Sequence, residues 1–288
     1  MSSLPKVWLV TGSSSGLGRE VVEHVLSRGD IAVATLRKPS ALSDLASQYD
    51  STKLLILKLD VTNPAEIKAA FSKVKETYGR LDVVYSNAGF GAVGETEGTP
   101  DDVARSLFEV NFWGSTNVAL EAVRFFREEN PVPGGKLLQA SSMAAAAAWP
   151  GTGYYSASKN ALESVNEALA KELKPEWNIK ITILELGGFA TKIQESTVLT
   201  PAHPAYADGP AAAIRAYMQG PQIGGDAKKA AREIYNIALN LDNMFKGDSD
   251  GVPLRIPLGK DAIGIVGGQL EAIRKDVERA GIWSENLE

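Results

Sequence analysis

Tyr155 and Lys159 stand four positions apart in a stretch with helical periodicity, so both side chains project from one face of a helix. A free phenol titrates near about 10 and is a poor base at neutral pH. An ammonium close by favours the phenolate, and a lowering of two to three units corresponds to about 3–4 kcal/mol of differential interaction. A phenol tuned in this way can exchange a proton with a substrate oxygen. In an arbitrary helix the same pair is simply an exposed neighbour pair, so its weight depends on the rest of the chain.

A second chemical feature lies near the start. Thr11-Gly12-Ser13-Ser14-Ser15-Gly16-Leu17-Gly18 joins an apolar run to a helical pattern. Glycines let the backbone turn tightly and let a pyrophosphate approach the amides, and the helix N-terminus favours an anion. Between a first strand and an amphipathic helix, this turn reads as a dinucleotide cradle. In such folds a carboxylate about 20 positions further on binds the ribose 2′-hydroxyl. Here the end of the second apolar run is Thr35-Leu36-Arg37-Lys38, and Asp30 sits at its other end. Arg37 offers a planar fork for phosphate oxygens. The expected cofactor is therefore NADP(H).

Composition narrows the chemistry. Among 288 residues there is no cysteine, so disulfides, thiolate catalysis and zinc–thiolate sites are excluded. With only two histidines, His24 and His203, no multi-histidine metal site is expected. His24 reads as a packing or surface residue, and His203 sits in a Pro-rich loop. The net charge of -5 argues against nucleic-acid binding. The N-terminus lacks a basic leader with an apolar stretch, and no run approaches a membrane span. A cytoplasmic protein is expected.

The elements that must carry these groups alternate. Apolar runs at 7–10, 31–34, 54–57, 82–85, 136–139 and 181–184 read as strands covered on both faces. A weaker run, 252–256, contains Pro253 and suits only an edge. Helical patterns cover 16–27, 64–77, 101–128, 152–173, 226–240 and 261–279, with Asn63 as N-cap and Pro64 at N1 of the second. The expectation is α/β: one Rossmann-type, doubly wound parallel sheet of about seven strands with helices on both faces. Residues 1–288 read as a single domain. Within it, 192–225 reads as a substrate-covering insertion, because a Pro-, Gly- and Ala-rich stretch of that length usually covers a site. Residues 255–288 form a divergent C-terminal segment.

The TGxxxGxG spacing resembles the short-chain dehydrogenase/reductase family, compact single-domain branch. Further matches follow in the same order: Asp60-Val61, Asn87-Ala88-Gly89, Asn111, Ser142 and Tyr155-Ser156-Ala157-Ser158-Lys159. The resemblance spans roughly residues 5 to 192. It implies an active oxidoreductase with Asn111, Ser142, Tyr155 and Lys159 as its tetrad. Ser142 would orient the substrate oxygen, Tyr155 would exchange the proton, and Lys159 would tune Tyr155 and reach the nicotinamide ribose. Asn111 would join a water-mediated proton path to Lys159. Strand alternation points Ser141 elsewhere.

For the cofactor the resemblance implies Gly12, Ser14, Ser15, Gly16, Leu17 and Gly18 at the phosphates, with Arg37 at the 2′-phosphate. Asp60 and Val61 would flank the adenine, and Asn87, Ala88 and Gly89 would lie under the adenosine side. Tyr155, Lys159, Gly187 and Thr191 would complete the set. Relatives carry Pro-Gly before this threonine, whereas this chain has Leu186-Gly187-Gly188-Phe189.

Candidate pocket residues are Phe90, Met143, Trp149, Phe189, Tyr206 and Tyr217, joined by Met218. Their apolar character suits a hydrophobic ketone, aldehyde or alcohol. A homodimer or homotetramer built on the helices at 101–128 and 152–173 is the expected assembly. Competing readings are an epimerase or dehydratase of the extended branch and a catalytically silent NADP(H)-sensing regulator. The former lacks its TGxxGxxG turn here, and the latter often loses the tyrosine or lysine that this chain keeps.

Overall fold

β-branched and leucine-rich runs form the centre of the molecule because strands covered on both faces bury every side chain. The computed structural model describes residues 4–221, 224–246, 252–283 and 287. Positions 222 and 223 of the expected cover, and 284–286 and 288 of the C-terminal segment, lie outside the described residues.

The first half of the chain runs β1 (Val7–Thr11), α1 (Gly16–Ser27), β2 (Ile31–Leu36), α2 (Ser43–Ala46), β3 (Leu54–Lys58), α3 (Pro64–Tyr78), β4 (Val83–Ser86), β5 (Ala92–Val93), α4 (Asp101–Leu107) and α5 (Ser115–Arg124). The second half runs β6 (Gly135–Ala140), α6 (Met143–Ala146), α7 (Gly153–Glu172), β7 (Ile179–Leu186), α8 (Ile193–Ser196), β8 (Val198–Leu199), α9 (Ala211–Gln219), α10 (Ala227–Met244), β9 (Arg255–Leu258) and α11 (Lys260–Ala280).

Seven strands form one sheet in the order β3-β2-β1-β4-β6-β7-β9, and every neighbouring pair is parallel. The seventh strand was expected at 252–256; the paired residues are 255–258, at the edge, where Pro257 needs no ladder partner on its outer side. β5 and β8 pair separately.

The period of two along β1 divides the core. Trp8 and Val10 face α1 and α10, packing with Val21, Val25, Ile234 and Tyr235. Val7 and Leu9 face the other layer, with Phe71 of α3, Val118 and Ala122 of α5, and Phe125. Helices thus cover both faces. α3 starts as its sequence dictates: Asn63 Oδ1 accepts from the amides of Ala65 and Glu66, Pro64 follows, and Gly79 ends it at φ 70°. No helix among the described residues is long and apolar enough to cross a membrane.

The stretch expected as one regular helix over 101–128 departs from that expectation. The backbone stays helical, but it widens to π turns at Phe108–Gly114 and Phe125–Glu129. Wide turns of this kind re-aim side chains, often at functional sites. The first of them carries Asn111.

The chain reverses its direction of winding between β1 and β4. In open parallel sheets such a switch leaves a crevice beyond the strand ends. Here Asn87, just past β4, ties the two ends: its amide donates to Thr11 Oγ1 at 2.9 Å, and its Nδ2 donates to the Thr11 carbonyl at 3.0 Å.

Candidate active site

The turn after β1 opens one end of the crevice. Gly12 adopts φ 69°, and a Cβ there would lie 2.9 Å from Ala88 Cα, so the position is restricted to glycine both by conformation and by the close approach of the loop after β4. Ser15 occupies the N-cap of α1 without a side-chain cap bond. Ser14, Ser15, Gly16 and Leu17 all line the cavity at this helix start, which suits an anion. Gly18 does not line it. It packs instead against the Gly12 carbonyl and the Asn87 side chain, allowing α1 to approach the sheet.

The cavity measures about 870 Å³, within the range of sites for sizeable organic ligands. Arg37, Asp60, Val61, Asn87, Ala88 and Gly89 line the same half as the glycine turn. Asp60 Oδ1 accepts from the amide and hydroxyl of Thr62. Burial works against the charged carboxylate, but these hydrogen bonds and the charge of Arg37 hold its pKa below the usual value.

The opposite wall comes from β6 and α7. Ser142 caps α6, its hydroxyl accepting from the Ala144 amide at 3.1 Å, while Tyr155 and Lys159 lie on the first turns of α7. All three line the cavity. Burial raises the Tyr155 phenol, and a hydrogen bond with Ser142 partly opposes it. The expectation that Lys159 would pull this phenol down therefore does not describe the balance found here. Burial dominates, and the opposing partner is Ser142. Lys159 Nζ donates to the Ala140 carbonyl at 3.1 Å. Burial lowers its pKa to about 8, and the charge of Glu163 acts the other way.

Asn111 is fully buried and clasps both main-chain polar groups of one residue. Its Oδ1 accepts from the Phe90 amide and its Nδ2 donates to the Phe90 carbonyl, both at 3.0 Å, with a further bond to Ser158 Oγ at 3.2 Å. Asn111 and Lys159 meet at Gly89, where a Cβ would lie 3.0 Å from Asn111 Oδ1 and 3.4 Å from Lys159 Nζ. The wide turn thus fixes the loop after β4 next to the lysine.

Behind this wall lies a network that spacing did not reveal. Ser141 lines the cavity beside Ser142, and its hydroxyl donates to Glu163 Oε1 at 2.5 Å. Glu163 Oε2 accepts from Arg255 Nε at 2.9 Å, and Arg255 Nη2 donates to Glu167 at 2.7 Å. Glu185, buried nearby on β7, is raised to about 7 by burial and by the charge of Glu163, with Arg255 opposing. These residues lie up to 114 positions apart. Only the arrival of the last strand at the sheet edge brings them together.

The expected cover closes the remaining side. Phe189, Thr191, Lys192, Gln194, Thr197, Ile214, Tyr217 and Met218 line the cavity with Phe90, Met143 and Trp149. The segment is attached through the β5–β8 pair and through Arg215 of α9, whose Nη1 donates to Glu95 Oε1 at 2.6 Å. The Arg215 bonds hold the Glu95 carboxyl at about 2, against burial. Tyr206, expected in the pocket, is outside it. It is 41% exposed, and its hydroxyl donates to Glu97 at 2.6 Å. His203 stacks edge-on against Tyr206, away from the cavity, and His24 packs against Tyr235.

Asp261 was also missed. It lines the cavity from the first turn of α11, and its Oδ2 accepts from the Gly188 amide at 2.7 Å. This bond anchors the loop after β7, where Gly187 and Gly188 follow Leu186. An acid in the first turn of a late helix was the only local signal. No cluster able to hold a metal ion exists among the described residues.

Comparison with known proteins identifies the family and the fold. The model of a family described as short chain dehydrogenase matches residues 6–201. Oxidoreductase calM of Penicillium decumbens is 34% identical over 286 residues, covering 96% of this chain and 91% of that protein. NADPH-dependent 1-acyldihydroxyacetone phosphate reductase of Saccharomyces cerevisiae is 30% identical over 196 residues, 67% of this chain and 64% of that one. The crystal structure of a short-chain dehydrogenase from Streptomyces avermitilis superposes with a TM-score of 0.87 at 33% identity, covering 100% of both chains.

Proposed function

The chain belongs to the short chain dehydrogenase family of oxidoreductases, and from that premise we propose that it interconverts a ketone or aldehyde and the corresponding alcohol on a hydrophobic small molecule, using NADP(H). The observation that carries this reading is the arrangement of Ser142, Tyr155 and Lys159 on one wall of a single cavity whose other end is the glycine turn at the start of α1.

The residues fit a dinucleotide. The turn at Gly12 leaves no room for a side chain where a pyrophosphate would approach, and the α1 N-terminus opens beside it. Arg37 lines the same half, with no carboxylate in the 2′-position after β2. Asp60, Val61 and Asn87–Gly89 would hold the adenosine, and Lys159 and Thr191 the nicotinamide side. When bound, the nicotinamide supplies or accepts the hydride at the substrate carbon.

The chain's own part is binding and proton transfer. Ser142 and Tyr155, both lining the cavity, would present two hydroxyls to the substrate oxygen. As negative charge develops on that oxygen during reduction, Tyr155 donates its proton, and in oxidation it removes one. Lys159, buried beside Gly89 and donating to the Ala140 carbonyl, would reach the nicotinamide ribose, and Asn111 holds the neighbouring loop in place. Phe90, Met143, Trp149, Phe189 and Tyr217 shape an apolar chamber for the substrate, under a cover contributed by residues between 192 and 218.

The test is the loss of NADPH absorbance with a panel of hydrophobic ketones and aldehydes, run on the wild type and on Tyr155→Phe. Turnover by the wild type and its loss in the variant are the expected results. Undiminished turnover by the variant would remove Tyr155 from the chemistry. Binding of NADPH without turnover of any carbonyl would remove the enzymatic reading.

A further inference from the structure

Glu163 is 4% exposed on α7, one helical turn beyond Lys159, which is 5% exposed. Residues four apart on a helix share a face, with Cβ atoms about 5–6 Å apart. Both side chains reach the same strand end. Lys159 Nζ donates to the carbonyl of Ala140 at 3.1 Å, and the next residue, Ser141, donates its hydroxyl to Glu163 Oε1 at 2.5 Å. That strand end runs directly into Ser142.

A buried carboxylate is costly unless it is paired and hydrogen-bonded. Glu163 is held by Ser141 and by Arg255 of β9, whose Nε donates to Oε2 at 2.9 Å. Among the described residues these are its side-chain partners, so its charge acts on Lys159 across a gap rather than through a shared hydrogen bond. Anchoring β9 to α7 does not by itself call for this buried charge. Glu167, one turn further along and partly exposed, also accepts from Arg255, at 2.7 Å.

We propose that Glu163 is a positioning residue for the reaction proposed above: its carboxylate, fixed by Ser141 and Arg255, keeps Lys159 an ammonium where it would meet the nicotinamide ribose. The inference rests on that reading of Lys159. Burial drives Lys159 towards the neutral amine and lowers it to about 8, and the charge of Glu163 opposes this. The other titratable groups around the pair are Tyr155, one turn before Lys159, Glu167 on α7, Glu185 on β7 and Arg255 on β9. Of these, Glu185 and Arg255 are coupled electrostatically to each other and to Glu163.

The test reads Lys159 directly, by NMR of the full chain labelled at the lysine ε carbon, with its resonance identified by its absence in Lys159→Met. In the wild type the ammonium should titrate near pH 8. In Glu163→Gln, which keeps the shape and loses the charge, the midpoint should fall by about one pH unit. In Glu163→Asp, which keeps the charge and disturbs the geometry, it should stay within about half a unit of wild type. Glu167→Gln, which removes a carboxylate from the same arginine, should leave it in place. NADPH affinity, followed by fluorescence, should weaken with rising pH along the same midpoints, because an ammonium favours the anionic cofactor and an amine does not.

An unchanged midpoint in Glu163→Gln overturns the proposal. So does an equal fall in the aspartate and glutamine variants, which is what a packing role alone would give. If Glu163→Gln does not fold, Glu163→Met/Arg255→Met takes its place, because removing a buried pair together leaves no uncompensated charge. The same fall is expected there, and its absence is equally decisive. A wild type that binds no NADPH would remove the cofactor reading, whereas the lysine midpoints would still decide on Glu163.

Discussion

Asp261 Oδ2 accepts the backbone amide of Gly188 at 2.7 Å, across 73 positions of sequence, and so joins the first turn of α11 to the loop that closes the cavity after β7. The C-terminal segment is therefore part of the site's construction. Asp261→Ala frees that loop while leaving the catalytic wall intact. A hydrogen bond to a charged group at this exposed position contributes on the order of 1 kcal/mol, so the NADPH and substrate Michaelis constants should rise about five-fold with kcat changed less than two-fold. Steady-state kinetics on Asp261→Ala and Asp261→Asn check this, and the asparagine should recover part of the loss.

Tyr155→Phe removes the hydroxyl proposed to exchange the proton and leaves the ring in place. Positioned acid–base groups contribute about 10²–10⁴-fold. The expected outcome is a fall in kcat of about a thousand-fold, with NADPH affinity, followed by fluorescence, within about three-fold of wild type. A loss of affinity as large as the loss of kcat would assign the tyrosine to binding alone.

Arg37→Ala tests the assignment of the phosphorylated cofactor. Charge-assisted bonds to phosphate contribute about 1.5–3 kcal/mol, so the NADPH Michaelis constant should rise about 10- to 100-fold while that for NADH changes little. Equal effects on both cofactors would place the 2′-phosphate elsewhere.

Glu185 predicts a pH signature in stability. Burial and Glu163 raise it from 4.5 to about 7, with Arg255 opposing. Between pH 4.5 and 7 the folded state holds a proton that the unfolded chain has released, so stability falls as pH rises through this window. The window corresponds to about 3 kcal/mol before the response of its charged neighbours. Glu185→Gln keeps the neutral form at all pH values. Thermal melts should show the variant gaining on the wild type at pH 8 and converging with it near pH 4.5. A gain independent of pH would mean that the carboxyl does not titrate in this range.

Much of the frame was legible from local pattern. The six central strands, the Asn63–Pro64 helix start and the order of Gly12, Asn87, Ser142, Tyr155 and Lys159 depend on residues a few positions apart, and a short apolar run bounded by turns carries its strand signal within itself. The edge strand was displaced by three residues, because its signal was weak and its pairing with β7 selects the register. Tyr206 shows where local reading failed: an aromatic in the cover segment could point either way, and a bond to Glu97, 109 positions earlier, turned it outward.

The sequence by itself determined a parallel doubly wound sheet, the phosphate-type turn at its first strand, and a tyrosine and lysine one helical turn apart. Each of these follows from chain connectivity, glycine geometry or helix period, which act over short distances. Only the tertiary structure decided that the π turn carrying Asn111 would clasp Phe90, that Glu163 would gather Ser141 and Arg255 behind the lysine, and that Asp261 would hold Gly188. Those contacts are made between elements far apart in sequence, and their partners become neighbours only when burial of the two apolar layers brings the sheet and its helices together.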